Sequence, residues 1–117
     1  MKELLVQLPP QDVIALMSSL RLGSHMTSNP QERDVIAQQV SQLQEAIDAA
    51  FGADSNYAGY LAKLSNLDMD LHTLEADLQR SEAQQDFGAA FIALTRSFLA
   101  LRTQRAALMA EIATELS

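Results

Sequence analysis

Asp68, His72 and Glu75 recur at i, i+4 and i+7, so a helix carries all three on one face. Carboxylate, imidazole and carboxylate in that order can hold a divalent cation when another segment adds a ligand. His72 is the only histidine outside Gly23–Met26 and no Cys exists, so no metal site is assigned and a solvated polar face is expected. Nucleophilic catalysis finds no support either, because the serines lack a histidine base to activate them. Gly52, Gly59 and Gly88 are isolated and build no phosphate-cradling loop. Tyr57 and Tyr60, near a helix start, read as packing residues. No catalytic residue, no cofactor and no enzymatic activity are expected.

His72-Thr73-Leu74 resembles the His-x-Leu-Lys-Gly core of histidine phosphotransfer domains, which are helical bundles of this size with an exposed histidine. The resemblance covers three residues and implies phosphoryl relay at His72. Glu75 stands where that core has Lys, and Ala76 where it has Gly. An anion in place of the cation repels the phosphate.

Charge is placed unevenly along the 117 residues, whose net charge is −7. Residues 27–86 hold 3 basic and 11 acidic side chains, net −8, whereas residues 87–117 hold Arg96, Arg102, Arg105, Glu111 and Glu115, net +1. Nucleic acid and anionic membranes require clustered cations, so neither is expected as a partner. No apolar run approaches the roughly 20 residues of a membrane span, and a cytoplasmic protein is expected. Arg96, Arg102 and Arg105 are charged interface candidates. Arg105 falls on a core position of its helix, where it either snorkels to solvent or pairs with an acidic neighbour.

Gly23-Ser24-His25-Met26 is the translation of adjacent BamHI and NdeI cloning sites. By ordinary residue usage, its chance appearance in a chain of this length is roughly a one-in-thousands event. Residues 23–26 are therefore read as a cloning-scar linker, with Met26 the start of a protein of about 90 residues. Residues 1–22 become a fused partner peptide. Of those 22 residues 12 are apolar, and Pro9-Pro10 divides an apolar stretch (Leu4, Leu5, Val6, Leu8) from an amphipathic helix over about 10–22. Pro10 suits the first turn, Asp12 lies at the positive end of the dipole, and Gly23 is expected to stop the helix. Val13, Leu16, Met17 and Leu20 follow at helical spacing, with Ile14 beside them. These five are the expected peptide side of an interface. A linker over Gly23–Ser28 reaches about 20 Å, enough for the peptide to fold back on its neighbour. The alternative is a native first helix of a four-helix bundle.

The elements that would receive it follow from spacing. Asn29-Pro30 caps and opens a helix over 30–51, with Ile36, Val40, Leu43, Ile47 and Ala50 as its seam and Gly52 as its stop. Asp54-Ser55 opens a second over about 55–80, whose seam runs Tyr57, Tyr60, Leu64, Leu67, Leu71, Leu74, Leu78, thickened by Leu61. The apolar series restarts out of phase at Phe87, so a turn is expected near Arg80–Asp86, with Ser81 and Gln84 or Asp86 capping a third helix over 87–116. That helix shows a main seam (Phe87, Phe91, Leu94, Phe98, Leu101, Leu108, Ile112) and a second apolar column through Ile92 and Leu99, flanked by Met109 and Leu116. A face so wide touches two neighbours, which makes Ile92, Leu99, Met109 and Leu116 the groove candidates.

The expected fold is all-α, an antiparallel three-helix bundle or coiled-coil hairpin over residues 27–117, completed by the short N-terminal helix. The expected function is that of a small chaperone or adaptor clamping an amphipathic helix of a partner protein, here supplied in cis. In size, acidity and helicity it resembles the small acidic helical chaperones of bacterial protein export. A self-assembling coiled-coil subunit is the alternative, so a homo-oligomer is admitted among the partners.

Overall fold

A computed structural model of the chain describes residues 9–51 and 56–116. Four helices account for nearly all of them: α1 (Pro10–Met26), α2 (Pro30–Phe51), α3 (Tyr57–Ala83) and α4 (Ala89–Leu116), with no strand among the described residues. The fold is an all-α helical bundle. The apolar stretch Leu4–Leu8, the stop at Gly52 and the opening at Asp54-Ser55 lie outside the described residues, as does the side chain of Ala50.

The first helix begins as its prolines dictate. Pro9 accepts from the N–H groups of Asp12 and Val13, and Pro10 occupies the first turn, where a missing N–H costs nothing. It does not stop at Gly23. Residues 23–26 form the last turn of α1, and the chain leaves at Thr27, whose N–H bonds the Gly23 carbonyl at 3.0 Å. Gly23 has no left-handed backbone and lies against the neighbouring helix, where an added Cβ would meet Ile36 Cδ1 at 3.7 Å. Packing therefore carries the helix past a residue that only weakly prefers to end it. The link between α1 and α2 shrinks to Thr27–Asn29. Asn29 caps α2 as expected, its Oδ1 accepting from the N–H groups of Gln31 (2.9 Å) and Glu32 (3.5 Å).

The turn between α3 and α4 falls within the expected Arg80–Asp86 stretch, at Gln84–Gln85, and α3 runs three residues past Arg80. Gln85 adopts a left-handed conformation with φ 56°, Asp86 N–H bonds the Ser81 carbonyl, and Gln85 N–H bonds that of Glu82. This is a Schellman ending with Gln where Gly is usual. Ser81 and Gln84 consequently terminate α3 and form no capping box for α4. Asp86 receives the Gly88 N–H at 3.3 Å and shapes the entry to α4, which starts at Ala89.

The helices are unequally covered. α3 and α4 pair along an antiparallel hairpin, α1 packs against each of the other three helices, and α2 meets the hairpin chiefly through α1. The molecule measures 50 × 36 × 20 Å, two helices thick in its short direction. One core forms where all four helices meet, from Val13, Ile14 and Met17 of α1, Leu43 and Ile47 of α2, Tyr60, Leu61 and Leu64 of α3, and Leu108 and Ile112 of α4. The rest of the hairpin is a two-helix ribbon. Its seam residues Leu71, Leu74, Leu78, Phe91, Leu94, Phe98 and Leu101 are only half-buried, and Phe87 packs edge-on against Phe91 near the tip. The 17 residues of α1 span about 25 Å and the 27 of α3 about 40 Å, so one cannot cover the other.

Candidate functional site: the cleft that holds the first helix

The face that α1 buries is Val13, Ile14, Met17 and Ser18. Relative to the spacing of its apolar residues it is rotated by part of a turn: Leu20 is half-buried against the core and Leu16 is 39% exposed. Four of the five expected interface residues thus enter the cleft, and Leu16 faces outward. The reason lies in Ser18. A hydroxyl is normally turned to water, yet Ser18 is 1% exposed, because its Oγ donates a 2.6 Å hydrogen bond to Asp68 Oδ2 on α3. A buried polar group so satisfied no longer opposes burial of its face.

Asp68 is held from the other side. Arg105 of α4 donates from Nε to Asp68 Oδ1 at 2.6 Å, with side-chain exposures of 32% for the arginine and 12% for the aspartate. One carboxylate therefore binds a hydroxyl from α1 and a guanidinium from α4. This ion pair, rather than snorkelling, accounts for Arg105 at a core position. It also removes Asp68 from the polar face expected around His72. His72 and Glu75 remain exposed, with Ala76 and Gln79, along a surface depression. No group of three or more His, Asp or Glu able to hold a metal occurs among the described residues.

The four groove candidates separate. Met109 and Leu116 pack against the buried core. Ile92 and Leu99 are 50% and 55% exposed, on the side of α4 turned away from that core. Of the other charged candidates, Arg96 is exposed, and the exposed Arg102 guanidinium lies 5.9 Å from the centre of the Phe98 ring on its own helix.

A second polar cluster ties α2 to α3. The Tyr57 hydroxyl donates to Asp48 and accepts from Gln44 Nε2, which also reaches Asp48 at 3.3 Å. The hydrogen bond to Asp48, reinforced by burial and by the carboxylate charge, raises the Tyr57 phenol above its ordinary 10.0. Ser65 Oγ on α3 is buried without a hydrogen-bond partner.

Sequence reasoning missed Ser18 and the role of Asp68. A polar residue on the flank of an apolar helical face, with an unpaired Asp and Arg elsewhere on core-adjacent positions, was the available signal. The arrangement joins three helices through one carboxylate, which fixes how α1 sits against α3 and α4. No helix among the described residues is long and apolar enough to cross a membrane. No protein-family model matches the chain, and no curated protein or solved structure does.

Proposed function

We propose that residues 27–117 form a helix-binding chaperone or adaptor, and that residues 10–22 of α1 are the amphipathic helix of its partner, joined in front of it through residues 23–26. The carrying observation is the position of α1. A segment joined by only three connecting residues occupies the middle of the bundle, and the other helices have their core chiefly around it. This is recognition of a helix in a groove. Val13, Ile14 and Met17 supply apolar burial, roughly 1.5–3 kcal/mol for each side chain fully removed from water. Asp68, oriented by Arg105, reads one hydroxyl at Ser18 and so sets the rotation of the bound helix. A helix with an alkyl side chain at that place would leave the carboxylate short of a partner, which is a basis for selectivity.

The test separates the two parts. A protease site inserted into Thr27–Asn29 allows the folded chain to be cut between α1 and α2. Exchange of the cut segment for fluorescent peptide Met1–Leu22, saturable and competed by unlabelled peptide, is the expected result. Calorimetry of separately produced Met26–Ser117 with that peptide gives the affinity. If the cut protein neither releases nor takes up the peptide, and deleting residues 1–22 leaves the melting temperature unchanged, the proposal is wrong.

A further inference from the structure

α4 carries apolar residues on two opposite sides, and the bundle covers one. Relative to the core line through Leu101, Leu108 and Ile112, the outward line is Ile92, Leu99, Thr103, Ala106 and Ala110, every one of them exposed. Arg96 is its one charged member. Thr103 turns its hydroxyl inward to its own helix, donating to the Leu99 carbonyl at 3.1 Å, and so presents chiefly its methyl group. A helix apolar on both sides is characteristic of a buried element.

We infer that this outward face of α4 is the interface of a symmetric dimer, and that its occupant is a second copy of the same helix running antiparallel. Two observations select a copy of this chain. The first is size. In an antiparallel pair centred near residue 101, Leu99 falls beside Thr103 of the second copy, Ile92 beside its Ala110 and the Arg96 stem beside its Ala106. Each large side chain meets a small one, and the relation is reciprocal, as an isologous interface requires. Small residues at these places let the helix axes approach to about 8 Å. The second is charge. A chain of net −7 repels itself, and residues 27–86 carry net −8, whereas residues 87–110 hold three Arg and no Asp or Glu. α4 is the face through which two copies meet without opposing carboxylates. The two Arg96 side chains are then about 15 Å apart along the pair, beyond the screening length at physiological salt, whereas the exposed Arg102 side chains flank the seam about 3 Å apart along it and must spread into solvent. The contact extends over about 27 Å of helix, a small interface, so a dimer with micromolar dissociation is expected.

Sedimentation of the intact chain over micromolar to millimolar concentration is the primary experiment. The expected result is a monomer–dimer equilibrium that Leu99→Asp weakens by at least about 100-fold, because dimerisation would then bury two carboxylates at the centre. Leu99 is exposed in the monomer, so that variant should keep its helicity and melting temperature. The chain has no Cys, which provides a second test independent of Leu99→Asp. A short bifunctional thiol reagent should join two copies of Leu99→Cys, whose positions lie about 6 Å apart along the pair, and not two copies of Ala89→Cys, about 36 Å apart. A monomer at every concentration overturns the proposal. So does a dimer that Leu99→Asp leaves intact, or cross-linking equal at the two positions. All three readouts are taken with α1 in place and do not depend on what α1 is.

Discussion

Ser18 Oγ on α1 and Asp68 Oδ2 on α3, 50 residues apart in the chain, lie 2.6 Å from each other, and Arg105 of α4 holds the second oxygen of the same carboxylate. Three helices are thereby referred to one side chain. Such a clip adds little to the hydrophobic stabilisation of the cleft, but it distinguishes one rotation and one height of α1 from their neighbours.

Removing either partner should therefore be costly in different degrees. Ser18→Ala should lower the unfolding free energy by about 1 kcal/mol, the net worth of one hydrogen bond. Arg105→Leu should cost about 1–3 kcal/mol, because it leaves a mostly buried carboxylate with Ser18 alone. Urea unfolding of both variants and of the double variant measures the coupling; strictly additive losses would show that the two contacts do not share Asp68 as described.

Gly23 gives a test with a definite sign. As an interior residue of α1 with room for a Cβ against Ile36, Gly23→Ala should stabilise the chain by about 1 kcal/mol, raising Tm by roughly 4 °C. Were Gly23 the left-handed terminator of the helix, the same substitution would destabilise. Thermal melts of the two proteins decide between the signs.

The opposite logic holds at Gln85, whose φ of 56° is the conformation that glycine adopts without a steric penalty. Gln85→Gly should gain about 1 kcal/mol, and Gln85→Val should lose more than that, without change in helix content by circular dichroism.

The tyrosines predict the alkaline limb of the stability profile. Tyr57 donates a hydrogen bond to Asp48, and burial, with the charges of Glu111 and Glu115, likewise raises Tyr60. With folded pKa values above the unfolded 10.0, these groups contribute stability that is constant below pH 10 and lost as pH rises through the folded values. Absorbance titration should show both phenols ionising above 10. Tyr57→Phe should remove one of the two transitions and flatten the loss of stability. Half-ionisation of both phenols at pH 10 would contradict the bonded geometry.

Much of this architecture is legible in the order of residues. Asn29-Pro30 opens α2 where expected because capping is local chemistry, requiring only a side-chain oxygen within three residues of free N–H groups. The seam from Tyr57 to Leu78 reports a helix because a 3,4 spacing is a property of one turn and its neighbours. The ends of the same helices are less legible. Gly23 and Gln85 each have a weak local preference, opposite in direction to what they do, and a few contacts outweigh it. Leu16 and Ser18 show the same limit on a face: Leu16 belongs to the apolar spacing of α1 and Ser18 lies on its flank, and which one is buried depends on whether a carboxylate stands opposite.

Sequence alone, then, determined the class of fold, the four helices of the described residues, the acidic middle of the chain and the amphipathic character of residues 10–22, all of which depend on neighbours within a few turns. Tertiary structure alone decided that Ser18, Asp68 and Arg105 meet, that α1 stands at the centre, and that Ile92 and Leu99 face away from the cleft while Met109 and Leu116 join the core. Periodicity shows that α4 has two apolar sides. It cannot show which side the bundle covers, because that is settled by the length of α1 and by contacts between residues tens of positions apart.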